Sequence, residues 1–430
     1  MQYQFELDEA FALKLDAEDP LAGFRDRFYI PPGVIYLDGN SLGLPARDAP
    51  KSLLRIMDEW KTLAINGWLQ AQRPWFYFVE QLGAMAAKIV GAQADEVMAV
   101  GSTTVNIHSL VSSFYQPRGG RTKILADAIN FPSDIYALRG QVKLRDLDPA
   151  EHLVLVPSAD GKTLDHNQII EYMTDEIALA LLPSVLFRSG QLLNLPLLTE
   201  KAHQKGILIG FDCSHSVGAV PHQFDKWNVD FAVWCSYKYL NAGPGGPAFL
   251  YVNKKHFDRE PLLSGWFGCD KKRQFDMSPD FIPAPHAGRW QISSPHILSY
   301  APLEASLKIT LEAGIDRIRK KSLCLTSYMM FLIDNILAPP PYNFKIGTPR
   351  QPENRGGHVA LEGDQNAWGI CGALKDKGVV PDFRPPNMIR LAPVALYNTY
   401  HEVWRTIQLI KEIVDKQLYR PFQNKTSEIT

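Results

Sequence analysis

The sequence has little cysteine and no excess of either charge. Its 45 basic and 46 acidic residues nearly balance, which gives no indication of a nucleic-acid partner or of an anionic membrane surface. The cysteines are odd in number and lack the spacing of metal ligands, so we expect reduced thiols and no metal site. They are Cys213, Cys235, Cys269, Cys324 and Cys371.

Long apolar runs are also missing. No stretch approaches the ~20 apolar residues that a membrane-spanning helix needs. The first ten residues carry acids where a secretory signal has a basic and then an apolar segment. Together these features predict a soluble, cytoplasmic protein without a membrane partner.

A chain of 430 residues exceeds one compact core, so we expect more than one subdomain. We assign residues 1–59 to an N-terminal arm with the first helix. Residues 60–298 are expected to form a large cofactor-binding domain, and residues 299–430 a small α+β C-terminal domain.

Short apolar segments alternate with longer ones through the proposed large domain. This alternation indicates an α/β fold with a mostly parallel sheet covered by helices. The predicted strands are residues 97–100, 123–127, 152–156, 177–182, 207–211 and 230–235. In the proposed small domain we predict helices at 301–337 and 400–418, strands at 355–361 and 388–392, and a frayed tail at 424–430.

Two predicted strands lead to residues that carry chemistry. The strand at 230–235 runs into Lys238 and a glycine-rich turn, and the strand at 207–211 ends at Asp212. Neighbouring parallel strands would present both side chains at one sheet edge, where α/β proteins bind ligands. An aspartate there can keep a pyridine nitrogen protonated while a lysine holds an aldehyde, as pyridoxal 5′-phosphate (PLP) requires. A surface lysine and a turn or capping aspartate are the alternatives.

Residues 96–108 have the pattern of a strand, a tight turn and a helix. Free N–H groups at the helix start, with the hydroxyls of Thr103 and Thr104, suit a dianionic phosphate. Plain N-capping by Ser102 or Thr103 is the alternative.

A further segment, Phe131-Pro132-Ser133-Asp134, follows the strand at 123–127. Phe131 is a candidate to stack on a pyridine ring. Ser133 and Asp134 are candidates for hydrogen bonds to the edge of the cofactor. Core packing and turn formation are the alternatives.

These motifs resemble those of kynureninase, a fold-type-I PLP enzyme related to the class V aminotransferases. The similar blocks occur in the family's order: Tyr36–Leu44, Gln72–Trp75, Thr104–His108, Phe131–Asp134, Phe211–Asp212, Cys235–Asn241, Gly265–Gly268, Ile292–Pro295 and Arg390–Val394. The resemblance implies a seven-stranded, mostly parallel sheet, PLP as cofactor, and a homodimer with active sites at the subunit interface. It also implies hydrolytic Cβ–Cγ cleavage of L-kynurenine, or of 3-hydroxy-L-kynurenine, to anthranilate or 3-hydroxyanthranilate and L-alanine. Such a reaction serves tryptophan catabolism or the synthesis of NAD precursors.

The resemblance also gives roles to individual residues. Lys238 holds the cofactor and acts as the base, Asp212 binds the ring nitrogen, and Tyr237 is the candidate proton donor. The implied cofactor contacts are Thr103, Thr104, Phe131, Pro132, Ser133, Asp134, Asp212, His215, Tyr237, Lys238, Trp266 and Ser294, with Trp266 and Ser294 serving the partner subunit's site. The implied substrate contacts are Arg390, for the α-carboxylate, Trp68 and Ser41.

Structural roles are the alternatives for several of these residues. Tyr237, Trp266 and Trp68 could be packing residues, and Ser294 could be a helix N-cap. Arg390 could form a structural salt bridge, since a buried arginine needs an anionic partner. In relatives with a preference for 3-hydroxykynurenine a histidine replaces Trp68, and Ser294 replaces an asparagine or threonine, so both residues favour unsubstituted kynurenine.

One departure from the family pattern and two rival functions stay open. Relatives often have a hydroxyl residue where this chain has Pro183, and Ser184 is the candidate substitute. A cysteine desulfurase or class V aminotransferase would share Lys238 and Asp212, and a desulfurase would need Cys269 as its nucleophile. The second rival is a cofactor-free binding protein.

Overall fold

The computed structural model describes residues 4–363 and 366–422. The described helices are α1 (Glu9–Ala17), α2 (Ala49–Leu63), α3 (Gly67–Gln70), α4 (Phe78–Val90), α5 (Thr103–Phe114), α6 (Pro132–Lys143), α7 (Pro149–His152), α8 (His166–Tyr172), α9 (Leu195–Gln204), α10 (Ile297–Ala313), α11 (Ile315–Leu332), α12 (Ala367–Asp376) and α13 (Tyr400–Asp415). The described strands are β1 (Ile35–Tyr36), β2 (Val97–Ala99), β3 (Lys123–Asp127), β4 (Leu153–Val156), β5 (Ile177–Pro183), β6 (Leu208–Asp212), β7 (Phe231–Cys235), β8 (Ala248–Val252), β9 (Lys345–Ile346), β10 (Val359–Glu362), β11 (Val379–Val380), β12 (Asp382–Arg384) and β13 (Met388–Leu391).

The larger sheet has seven strands in the order β2-β8-β7-β6-β5-β3-β4. All neighbours pair in parallel except β8, which is antiparallel to both β2 and β7. Every residue of β7 and β8 is buried, as their continuous apolar sequences require in a sheet covered on both faces. The α/β fold with a mostly parallel seven-stranded sheet is therefore confirmed. Each strand predicted in this part of the chain overlaps an observed one, whereas β8 was not among the predicted strands.

A smaller antiparallel sheet follows in the order β12-β13-β10-β9. Its apolar face packs with α11, α12 and α13 around a second core, which includes Val359, Ile389 and Ile407. The predicted strand at 355–361 is shorter than expected, since pairing begins only at Val359. These strands place Asp382 and Arg390 beside the larger sheet's ligand edge.

The predicted single helix at 301–337 is wrong. Gly314 interrupts it with a positive φ of 78°, a conformation that glycine adopts without steric cost. The Gly314 N–H closes α10 by donating to the carbonyl of Thr310. The chain then starts α11 at Ile315, directly after Gly314.

The first and last described helices are joined by a carboxylate. Asp16, near the end of α1, accepts hydrogen bonds from the N–H groups of Tyr400 and His401 at 2.6 and 3.1 Å. These are orphan donors of the first turn of α13. Leu15 and Ile410 belong to the same buried cluster, so α1 completes the second core.

The proposed domain boundaries remain predictions. Helix α2 runs through the position of the first boundary and ends at Leu63. The tail at 424–430 lies outside the described residues. Within residues 4–363 and 366–422, no helix has the length and apolar character that crossing a membrane would require.

Candidate active site

Asp212 and Lys238 lie at the same edge of the larger sheet. Asp212 is the last residue of β6 and pairs in parallel register with Val233 of β7. Lys238 follows the end of β7 by three residues. Because parallel neighbours end at one edge, the fold brings the two side chains together as the sequence predicts.

The amine of Lys238 contacts a buried histidine. Its Nζ lies 2.9 Å from Nε2 of His215 and 6.0 Å from the ring centroids of both Phe131 and Tyr237. Burial and the positive charges of Lys238 and Arg390 keep the pKa of His215 well below its usual value. The imidazole is therefore neutral and accepts a hydrogen bond from Lys238 at Nε2.

A narrow slot opens beside these groups. Its walls include Phe131, Pro183, Phe187, Asp212 and His215. Phe131 is 45% exposed, and its ring lies perpendicular to that of Phe187 at a centroid distance of 5.3 Å. Core packing of Phe131 is thus not observed, and one face of its ring is free to stack on a flat ligand.

The segment after Phe131 begins helix α6. Pro132 is its first residue, Ser133 is half-buried, and Asp134 is almost completely buried. Burial and the negative charge of Asp212 raise the pKa of Asp134 well above its usual value. Asp134 therefore favours its protonated form beside the Asp212 carboxylate.

Ser184 does not replace the hydroxyl that is missing at Pro183. Its Oγ lies 2.6 Å from Oγ of Ser216, which in turn lies 2.9 Å from Nε2 of His222. Alternate residues of an extended chain face opposite sides, and Pro183 and Val185 are the ones that line the slot. The candidate substitution of Ser184 is therefore corrected.

The turn before α5 has the features of an anion site. Gly101 adopts a φ of +57°, and Ser102 is the N-cap residue but forms no side-chain capping bond. The N–H groups of the first turn, which begins with Thr103 and Thr104, thus lack this side-chain partner. A cavity of about 480 Å³ adjoins the turn and is lined by Ser102, Tyr237 and Ser294 among others.

Trp68 and Trp266 line a different cavity, also of about 480 Å³. Ser294 contributes to its wall as well. Trp68 packs against Phe267 with ring centroids 5.7 Å apart, while Trp266 is 45% exposed. Within one chain, the described structure does not bring Trp68 and Trp266 into the slot beside Lys238.

Arg390 is buried in β13 and already has an anionic neighbour. Its Nε and Nη2 both donate to Oδ2 of Asp382. Its Nη1 donates to the carbonyl of Phe187 at 2.5 Å, and its Nη2 to Oγ of Ser41 at 3.2 Å. The structure thus shows the salt bridge that was the alternative for Arg390, and it also brings Ser41 to the guanidinium.

Asp382 and Phe187 are the site residues that sequence reasoning missed. Asp382 carried a signal, because an acid inside the short segment 382–384 stands two residues from Arg384 and eight from Arg390. Charges so placed in strands are commonly paired across a hairpin. Phe187 carried no such signal, since an aromatic residue after a buried strand is most often core.

The described residues fit PLP. His215 Nδ1 and Asp134 Oδ1 are buried and have no hydrogen-bond partner within the described part of the chain. Buried polar atoms rarely stay unpaired, so a polar ligand between them would complete their bonding. The α5 turn suits the phosphate, Lys238 the aldehyde and Asp212 the pyridine nitrogen.

Two families match the chain. Residues 35–358 match the aminotransferase class-V family, and residues 318–410 match the kynureninase C-terminal domain. A kynureninase from Geobacillus thermodenitrificans (strain NG80-2) is 55% identical over 96% of both chains. One from Shouchella clausii (strain KSM-K16) is 56% identical, again over 96% of both. The chain belongs to the kynureninase family.

Solved structures of other proteins share the fold of this chain. A cysteine desulfurase from Thermococcus onnurineus NA1 superimposes with a TM-score of 0.76 at 19% identity, covering 92% of this chain and 98% of the other. A C-DES variant with glycine covalently linked to its PLP cofactor gives 0.77 at 16% identity, covering 90% and 98%. At such identities the likeness shows the fold alone. The kynureninase resemblance and the fold-type-I architecture predicted from the sequence are both confirmed.

Proposed function

We propose that this chain is a PLP-dependent hydrolase that cleaves the Cβ–Cγ bond of L-kynurenine to give anthranilate and L-alanine. The observation that carries the proposal is the Lys238 amine, held 2.9 Å from His215 at the sheet edge where Asp212 ends its strand. Membership of the kynureninase family supports the same reaction and the same cofactor. It also favours this function over the desulfurase, aminotransferase and cofactor-free alternatives.

PLP, when bound, supplies an electron sink for negative charge that develops on the substrate next to its amino group. The chain's own groups would hold it at three points. Lys238 would bind the aldehyde, Asp212 the protonated ring nitrogen, and the α5 turn, with Thr103 and Thr104, the phosphate. Phe131 would cover one face of the ring, with Ser133, Asp134 and His215 at its edges.

The residues that would take part in proton transfer are Lys238, His215 and Tyr237. Neutral His215 accepts a hydrogen bond from Nζ of Lys238, which orients the amine for proton transfer at the substrate Cα. Burial and the neighbouring Cys235 raise the pKa of Tyr237. Its hydroxyl therefore keeps its proton at neutral pH, which a proton donor to the departing product requires.

Arg390 and Ser41 would bind the substrate's α-carboxylate. Guanidinium binds carboxylate in a two-pronged geometry that lysine lacks. Arg390 remains cationic beside Asp382, and the Ser41 hydroxyl lies 3.2 Å from its Nη2, so both groups would donate to the same carboxylate. The polar end of the substrate would thus lie next to Phe187 and the slot.

We also propose a homodimer whose partner subunit completes each site. Trp266 lies on the cavity with Trp68, away from the slot beside Lys238 of the same chain. Ser294 lies between that cavity and the one at the α5 turn, because it lines both. Next to that cavity, α2, the turn after it and α3 expose apolar side chains at more than half of their surface: Leu54, Trp60, Ile65 and Leu69. A contiguous exposed apolar area of this kind is typical of a protein interface, and a second copy is the partner that the family resemblance implies.

The direct test mixes purified, PLP-loaded protein with L-kynurenine and, separately, with 3-hydroxy-L-kynurenine. We expect anthranilate and alanine from the first, less product from the second, and none from Lys238→Ala with either. The ratio between substrates tests the expectation from Trp68 and Ser294. No product from either substrate, despite a bound cofactor absorbing in the visible range, would contradict the proposed function.

A further inference from the structure

Arg390 and Asp382 form a buried pair that the strand register dictates. In the antiparallel pairing of β12 with β13, Asp382 lies directly opposite Arg390. Their exposed fractions are 0% and 1%. Directly opposed side chains on one face of a sheet are within contact distance, so the hairpin itself sets where the guanidinium is held.

The hydrogen bonds of Arg390 divide its guanidinium into two edges. A guanidinium has five N–H donors in a fixed plane. The side edge, formed by Nε and Nη2, is taken by Oδ2 of Asp382. The end edge, formed by Nη1 and Nη2, meets the Phe187 carbonyl at 2.5 Å and the Ser41 hydroxyl at 3.2 Å. A ligand carboxylate can therefore approach only the end edge, where the Ser41 contact is the longest of the set.

We propose that Asp382 is a positioning residue for substrate recognition: it holds the side edge of Arg390 so that the end edge faces the substrate's α-carboxylate. This inference rests on the proposed function, in which Arg390 binds that carboxylate. Asp382 pairs through Oδ2 with Arg390 and, at 3.3 Å, with Nε of Arg384, and it would act on the substrate only through Arg390. Its effect is to restrict rotation of the guanidinium about its last side-chain bonds.

Phe187 ties this arrangement to the cofactor slot. Its carbonyl accepts a hydrogen bond from Nη1 of Arg390, and its ring packs perpendicular to that of Phe131. Phe187 thus fixes the end edge of Arg390, where the carboxylate would bind, relative to the Phe131 ring on which the cofactor would stack. If Asp382 releases the side edge, Arg390 can turn away while Phe187 and the slot stay in place. The loss should fall on substrate binding more than on the chemical step.

The test compares Asp382→Asn with the wild type as PLP-loaded protein. We measure kcat and KM for L-kynurenine, the inhibition constant of its decarboxylated amine analogue, and the absorbance of the bound cofactor. We expect KM to rise about tenfold or more, because a charge-assisted pair becomes a single neutral bond. We expect kcat within about threefold of wild type, and no change in binding of the analogue, which lacks the carboxylate.

A matched control is Asp334→Asn. Asp334 makes a bidentate pair with Arg350 at 2.6 and 2.8 Å on the protein surface, so its loss should leave KM unchanged. Asp382→Glu keeps the charge but moves it by one methylene, and it should partly restore KM. If Asp382→Asn does not fold, Asp382→Glu decides, with a KM above the wild-type value and unchanged analogue binding expected.

Two results would overturn the inference. One is a KM for L-kynurenine in folded Asp382→Asn, or in Asp382→Glu if only that variant folds, equal to the wild-type KM. The other is an equal loss of affinity for the substrate and for the decarboxylated analogue, which would mean general damage to the site. Failure of the proposed function is a separate outcome, since it would show as absence of turnover in the wild type.

Discussion

Nζ of Lys238 and Nε2 of His215 lie 2.9 Å apart. Because His215 is buried and neutral, it can accept a hydrogen bond from the lysine without adding a positive charge beside it. A charged imidazole at this distance would repel the ammonium form of Lys238. The pair therefore fixes the direction of the amine.

Replacement of His215 by Phe should lower kcat for L-kynurenine by roughly tenfold to a hundredfold, because Lys238 loses the acceptor that orients it. The acidic limb of the pH–rate profile should keep its position, since the lowered pKa of His215 leaves the ring neutral through the neutral range. Steady-state kinetics across pH measure both. His222→Phe is the control, because His222 contacts Ser216 and not Lys238. A shifted acidic limb in the His215 variant would contradict a neutral imidazole.

Asp127 should make stability depend on pH. Burial raises its pKa to about 7 against the opposing hydrogen bond from Ile129 N–H. Because the folded-state pKa lies above the unfolded-state pKa near 4, the contribution of Asp127 to stability is fully present below about pH 4. It is lost as the pH rises through about 7 and the buried carboxyl group ionises. Asp127→Asn, which mimics the protonated form, should therefore gain stability relative to wild type on going from pH 4 to pH 8, on the order of a few kcal/mol.

Chemical denaturation at several pH values measures the Asp127 effect. The control is Asp175→Asn. The side chain of Asp175 is 97% exposed, so this substitution should change the pH dependence of stability little. Parallel curves for wild type and Asp127→Asn across this range would show that Asp127 is ionised in the folded protein.

Hybrid dimers should reveal whether Trp266 serves the partner's site. Lys238→Ala and Trp266→Ala are each expected to be nearly inactive as homodimers. If Trp266 acts across the interface, a heterodimer of the two has one site with both defects and one intact site. Differently tagged, co-expressed subunits should then recover about half of the wild-type activity. A heterodimer as inactive as its parents, or sedimentation as a monomer, would argue against a shared site.

Cys269 should be dispensable. It is partly exposed and its backbone forms a bridge with Pro283, so it lies in a tethered segment and not on a free loop. Cys269→Ala should keep kcat and KM for kynurenine within about twofold of wild type. Sulfide release from L-cysteine by the wild type, abolished in this variant, would revive the desulfurase alternative.

The sequence alone predicted the positions of Lys238 and Asp212 because it shows where buried strands end. Lys238 and Asp212 each follow a continuous apolar run, and parallel strands bring such ends together. It could not reveal which face of the sheet Ser184 is on. Successive residues of a strand face opposite sides, so an error of one residue in the register reverses the answer. Asp382 was missed for a related reason: its role depends on antiparallel register with Arg390, which the charge spacing of residues 382–390 indicates but does not fix.

Strand β8 and Gly314 show the same limit in the fold. Ala248–Val252 is a five-residue apolar segment after a glycine- and proline-rich turn. Nothing in so short a segment indicates that it runs antiparallel to its neighbours. Gly314 sits within a long run of helical spacing, and only its observed φ of 78° shows that the run breaks into two helices.

The contact of Asp16 with the start of α13 links the order of synthesis to the order of folding. Helix α1 emerges early from the ribosome, yet its carboxylate and its apolar residues Ala12 and Leu15 find their partners in a helix made nearly four hundred residues later. The larger sheet can form while the chain is still growing. The second core is incomplete until α13 has been made, so α1 lacks this partner for most of translation.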